Sequence, residues 1–143
     1  MIISYFGHSM FQIELENGKN LMIDPYDDSI GYQPPKLYPD YICISHDHHD
    51  HNHISDYSTN KTGEKPLIFK ELSSIYDDGQ VKITFLPTYH DKEKGRLRGK
   101  NDIMVIETES IRILHVGDLG HLLSQETITA LGEIDILCLP VGG

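Results

Sequence analysis

Ser45-His46-Asp47-His48-His49-Asp50-His51-Asn52-His53 is the stretch that decides how this chain is read, for it holds five of the nine histidines within eight residues. It directly follows Tyr41-Ile42-Cys43-Ile44, an apolar run that reads as a buried strand. Within it, His46, His48, Asp50 and His51 form the pattern His-x-His-x-Asp-His. Imidazole and carboxylate are ligands of Zn²⁺, Mn²⁺ and Fe²⁺, so four such groups on one turn point to a two-metal site at a strand's C-terminal end. A solvated His/Asp loop or a purification tag is the bland alternative. A tag would be terminal and would lack aspartates at fixed spacing. Period-two geometry cannot bring His46, His48 and His51 together, because residue 51 would leave the strand's face; a sharp turn after the strand can.

Working outward, β-type runs occupy Ile2–Phe6, Phe11–Leu15, Leu21–Ile23, Tyr41–Ser45, Leu67–Phe69, Val81–Leu86, Ile103–Glu107, Ile111–His115 and Ile134–Leu139. Turn signals separate them at Asn17-Gly18, Asp78-Gly79 and Gly117. Helical signals are few. Ser124 is an N-cap for Gln125–Leu131 with Gly132 as the stop, and residues 71–76 read as a second short helix. Residues 27–39, with Gly31, Pro34, Pro35 and Pro39, read as an irregular loop. Without repeats or a linker, residues 1–143 are expected to be one strand-rich α/β layer domain.

Composition narrows the function classes. No apolar run is long enough to span a bilayer, and Met1-Ile2-Ile3-Ser4-Tyr5 lacks a basic segment followed by an apolar one. Cys43 and Cys138 each lie in an apolar run and read as buried reduced thiols, so a cytoplasmic location is expected. The net charge of −10 argues against a nucleic-acid partner. The one basic concentration is Lys92, Lys94, Arg96, Arg98 and Lys100, enough to hold a small anion. Arg98 and Lys100 either clamp a phosphate or carboxylate of the substrate or form an exposed hairpin tip. No Gly-x-Ser-x-Gly elbow is present, and neither cysteine sits in an electropositive turn.

The cluster resembles the signature of the metallo-β-lactamase superfamily of metal-dependent hydrolases, and other segments match in order. Gly7-His8-Ser9 with Phe11 opens the chain and Leu21-Met22-Ile23-Asp24-Pro25 follows; Tyr89-His90-Asp91, His115-Val116-Gly117-Asp118 and Leu139-Pro140-Val141-Gly142-Gly143 come later. The last is similar to the lactonase-like branch related to L-ascorbate-6-phosphate lactonase. The resemblance implies an αββα sandwich, incomplete at the C-terminus: the chain is expected to be the N-terminal two-thirds or so of such a domain, truncated before a final metal-binding histidine. It further implies that His46, His48 and His90 bind a first metal, that Asp50 and His51 bind a second, and that Asp118 bridges. Taken alone, His90 would read as a surface histidine and Asp118 as a turn aspartate.

The function so implied is hydrolysis of a carbonyl or phosphoryl centre in a small anionic substrate by a metal-activated hydroxide. Up to two Zn or Mn ions would be held, and Asp50 would hold or receive the nucleophile's proton. A catalytically inactive metal-binding fragment and a nuclease of the same fold are the alternatives. Asp47 and Asp91 are either carboxylates that orient a ligand imidazole or solvated loop charges. His8 is either a substrate or ligand-orienting residue or a packed structural histidine. His49 and His53 are expected to face solvent, and His121 to be structural. The glycines around Asp118 are expected to let the backbone approach the ions. The apolar strand Ile134–Leu139 is expected to drive homodimerisation through an exposed C-terminal edge.

Overall fold

The nine β-type runs become strands and Tyr76–Asp77 adds a tenth among the described residues, which in this computed structural model are 1–71 and 75–141. They fall into two units, Met1–Lys70 and Glu71–Gly143, each built on a five-stranded mixed sheet.

In the first unit, β1 (Ile2–Tyr5), β2 (Phe11–Glu14), β3 (Asn20–Ile23), β4 (Tyr41–Ile44) and β5 (Leu67–Lys70) lie side by side in chain order. The first three pair antiparallel, whereas β3, β4 and β5 are mutually parallel. Every residue of β3 and β4 is buried. That explains their unbroken apolar runs, since a parallel strand covered on both faces shows no polar alternation. On one face, Met22, Ile42 and Ile44 pack with Met10, Tyr26 and Tyr57, backed by Phe6, Ile30, Leu37 and Ile54. Gly18, at φ 85°, closes the β2–β3 hairpin as the Asn17-Gly18 signal indicates. Residues 27–39 form the expected irregular loop, apart from one 3₁₀ turn at Asp28–Ile30 capped by Asp27.

The second unit contains β6 (Tyr76–Asp77), β7 (Lys82–Tyr89), β8 (Lys100–Thr108), β9 (Ile111–His115), the helix α1 (Gln125–Leu131) and β10 (Ile136–Cys138). The sheet order is β10-β9-β8-β7-β6, antiparallel except for the parallel β9–β10 pair. Ile103, Val105, Leu114 and Val116 pack against Leu131 of α1 and the half-buried Leu86, Leu119, Leu123 and Ile134. Ser124 caps α1 by accepting from the Thr127 N–H at 3.1 Å, and Gly132 ends it. The expected helix over 71–76 falls on residues 72–74, outside the described residues, and Tyr76 belongs to β6. The edge strand β10 and the residues after it expose Leu137, Leu139 and Val141.

Candidate metal centre

The chemistry-bearing residues of the first unit collect where parallel β3 and β4 end. This is the end at which loops of open α/β sheets form ligand sites. Asp24 follows β3 and is fully buried, and its N–H continues the parallel ladder by donating to the Cys43 carbonyl at 2.9 Å. Its carboxylate accepts from the Ser45 N–H at 2.7 Å and the Ser45 hydroxyl at 2.6 Å. His51 lies fully buried beside it, with Nδ1 3.0 Å from Asp24 Oδ2 and 2.9 Å from Ser9 Oγ. Asp24 Oδ2 already accepts from the Ser45 hydroxyl, so a proton on His51 Nδ1 fits this partner and leaves the His51 lone pair on Nε2. That is the tautomer a metal-ligating histidine needs.

His46 and His48 come from the turn that follows β4, closed by the His51 N–H donating to the His48 carbonyl at 3.0 Å. The His46 ring is buried, 4.4 Å from the His48 ring and 4.2 Å from the His51 ring, centroid to centroid. His46 Nε2 and His48 Nδ1 approach to 3.0 Å. Two imidazole lone pairs at that distance repel unless a proton or a cation lies between them, so the pair suits a shared divalent ion. Asp50 Oδ2 is 3.0 Å from His8 Nε2 and 3.8 Å from His51 Nε2. Burial opposes ionisation of Asp50, but His51, a backbone hydrogen bond, His8 and His49 outweigh it and hold the carboxyl below its usual range.

The second unit brings His90 and Asp118 together. His90 follows β7 and Asp118 follows β9; both strands run antiparallel to β8, so both residues leave the sheet at one edge. His90 Nε2 is 3.0 Å from Asp118 Oδ2. The Asp118 N–H donates to Asn101 Oδ1 at 2.9 Å, while Asn101 Nδ2 donates to Thr88 Oγ1 at 2.9 Å and to the Val116 carbonyl at 3.0 Å. Asn101 is buried and ties the ends of β7, β8 and β9 into one frame. Gly120 donates its N–H to the Tyr89 carbonyl at 3.0 Å, and a Cβ there would lie 2.3 Å from the His90 carbonyl atoms. This corrects the sequence expectation in one respect: Gly120 serves the approach of the 117–120 loop to the His90 backbone. Gly120→Ala must therefore displace that loop from His90, at a cost of about 1–3 kcal/mol. Thermal unfolding of the variant checks this; an unchanged melting temperature would contradict the close approach.

Residues 2–143 match the family model described as "Beta-lactamase superfamily domain". The chain belongs to the beta-lactamase superfamily. Its fold is the α/β metallo-β-lactamase fold. Among curated members, a "UPF0173 metal-dependent hydrolase" of Staphylothermus marinus is 32% identical over 99% of this chain and 72% of its own length. One of the same name from Thermococcus onnurineus is 26% identical over the same shares. A crystallised Thermotoga maritima protein, provisionally named a Zn-dependent hydrolase of the metallo-β-lactamase superfamily, is 34% identical with a TM-score of 0.71. The match covers 99% of this chain and 61% of that one. The chain is thus a member of a superfamily group of metal-dependent hydrolases, and it spans less than two thirds of the crystallised relative.

Of the other residues singled out in the sequence, Asp91, Asp47 and His53 differ from their reading. Asp91 neither orients an imidazole nor stands solvated. Its carboxylate accepts the backbone N–H groups of Glu93, Gly95, Leu97 and Arg98 at 2.7 to 3.1 Å and so folds the loop after His90. Burial opposes its ionisation, yet those four donors outweigh burial and hold it below the usual carboxylate range. Arg98 and Lys100 are exposed at the tip of the β7–β8 hairpin. Asp47 accepts from Asn52 Nδ2 at 2.6 Å and so braces its own turn. His49 is exposed, as expected. His53 does not simply face solvent: it sits 3.6 Å from Asp27 and 3.2 Å from Asp56. His121 is structural, accepting the Tyr89 N–H at 3.2 Å. Cys43 and Cys138 are buried free thiols, and burial pushes both up from the ordinary thiol range. Sequence reading assigned no role to Ser9, Asn101 or Thr88 and quoted Asp24 only as part of a motif. The Asp24-Pro25 signal after an apolar strand was the one local hint.

Proposed function

We propose that this superfamily member hydrolyses a carbonyl or phosphoryl centre in a small anionic substrate, using a divalent-metal centre built on the His46–His51 turn. One observation carries the reading: buried Asp24 Oδ2 holds His51 Nδ1 at 3.0 Å, which turns His51 Nε2 towards Asp50 Oδ2 at 3.8 Å. The proposed ligands are His46, His48 and His90 for a first ion and Asp50 and His51 for a second, with Asp118 shared; membership of the superfamily over residues 2–143 supports the allocation. When bound, such ions act as Lewis acids and bring the pKa of water towards neutrality. Asp50, ionised at neutral pH, accepts the proton that the attacking water releases. Asn101 and the Gly120 contact hold Asp118 against His90, while Asp91 fixes the loop that presents Arg98 and Lys100 to a substrate phosphate or carboxylate.

Zn is the favoured ion, given the three imidazoles of the first set and the provisional name of the Thermotoga relative, with Mn the second choice. Among the described residues no helix is long and apolar enough to cross a membrane, and the buried thiols support a reducing cytoplasm. The exposed Leu137, Leu139 and Val141 support pairing with a second copy along β10; a monodisperse monomer in light scattering would remove that element. The test of function is turnover of aryl phosphodiesters and lactones before and after chelation. Activity should vanish with chelator and return with Zn²⁺ or Mn²⁺. Turnover that survives complete metal removal would defeat the proposal.

A further inference from the structure

His8 lies 38 residues before the histidine run, yet its imidazole reaches the same carboxylate. We infer that His8 is itself a ligand of the second metal and completes, with Asp50 and His51, a set of two imidazoles and one carboxylate. The inference rests on the metal reading above, which gives His8 no ligand role. His8, Asp50 and His51 each offer one ligand atom, and these lie within 4.8 Å of one another. The His8 and His51 rings are 4.9 Å apart, centroid to centroid. Two neutral nitrogen donors and one anionic oxygen are a set that zinc and non-haem iron sites use with open positions left for water.

The backbone argues that this placement is more than a chance contact. His8 sits at φ 51° in the turn between β1 and β2, directly after Gly7 at φ 95°. A residue with a Cβ in the left-handed region costs about 1–2 kcal/mol, and glycine would occupy the position freely. The turn holds it there. The Phe6 N–H donates to the Met10 carbonyl at 3.0 Å, and the Met10 N–H to the Gly7 carbonyl at 3.1 Å. Tyr5 donates its hydroxyl to the His8 carbonyl at 2.8 Å, and Tyr26 donates to the Phe6 carbonyl. Gly7 is pressed against the Tyr32 ring, where a Cβ would lie 2.9 Å from it. The next residue, Ser9, bonds His51 Nδ1. One rigid turn therefore fixes the orientation of His51 and aims His8 at Asp50. Left-handed non-glycine residues persist where the surroundings over-determine them, and they cluster at ligand clamps.

His8→Gly separates a ligand from a structural histidine, because it removes the imidazole and relieves the backbone together. The variant is expected to melt at or above the temperature of the parent chain. Both proteins are titrated with Co²⁺, and their hyperfine-shifted, solvent-exchangeable imidazole N–H resonances are counted by proton NMR. The variant should lose one such resonance, and affinity for the second ion should fall by more than the 10–100-fold typical of an outer partner. Added imidazole should restore both. An unchanged resonance count overturns the inference, even with weakened affinity, because His8 would then only orient Asp50. A parent chain that binds no Co²⁺ overturns the proposed metal centre as well.

Discussion

His46→Ala combined with His48→Ala is expected to strip most of the bound metal from the protein and to abolish turnover. Loss of an outer partner of a metal site costs 10–100-fold in affinity, so loss of two direct ligands should cost more than about 100-fold. Neither ring belongs to the apolar cluster that packs β3 and β4, so the sheet should survive. Elemental analysis after dialysis against low free metal, paired with circular dichroism, reads both quantities. Unchanged stoichiometry in a folded variant would refute the ligand assignment. Affinity in the parent chain should also weaken on acidification, because protons compete with the metal for imidazole. The Asp50 carboxyl is held below the ordinary carboxylate range, so it stays ionised on mild acidification.

Asp24→Asn carries the second large effect, and it acts through a proton. Asparagine tolerates the left-handed φ of 47° found at this position, so the end of β3 should keep its path. One acceptor oxygen survives for the Ser45 N–H. The other is replaced by an amide that donates towards His51 Nδ1 and turns the ring into the tautomer whose Nε2 bears hydrogen. Ligation by His51 would then be lost without any change in packing. The expected result is a 10–100-fold loss of metal affinity with a fold that still unfolds cooperatively. Asp24→Ala should be worse for stability, by about 1–3 kcal/mol, because the buried Ser45 N–H loses its acceptor. Urea unfolding and metal titration of both variants distinguish the two effects. Equal affinity in the parent and Asp24→Asn proteins would show that the tautomer of His51 is not set by Asp24.

Much of this molecule can be read from its residues because the relevant physics is local. The apolar runs at 21–23 and 41–44 are strands covered on both faces, Asn17-Gly18 closes a hairpin, and Ser124 with Gly132 brackets the helix. The His-x-His-x-Asp-His run announces metal chemistry because its donors lie within six residues of one another. Tertiary pairing decided the rest. The run read from the sequence ends at Leu86, yet β7 continues through Pro87 to Tyr89, paired with β8 in a register that sets Tyr89 opposite Lys100. Proline is tolerated there because β6 reaches only residues 82 and 83, so its missing N–H breaks no described ladder. Glu109 and Ser110 make the β8–β9 turn at φ 51° and 62° without the usual glycine or asparagine, held by the strands on either side.

The supports of the candidate site were the least legible part. Asp24 meets Ser45 and His51 across 21 and 27 residues, Ser9 meets His51 across 42, and Asn101 meets Asp118 across 17. From the sequence Asp91 reads as either a carboxylate orienting an imidazole or a solvated loop charge, whereas in the fold four backbone N–H groups close on it. Residue type and spacing state which groups can bind a metal, since that is a property of donor atoms and short separations. Which carboxylate fixes a tautomer, and which histidine a strained turn delivers to it, depends on strands adjacent only in the folded sheet.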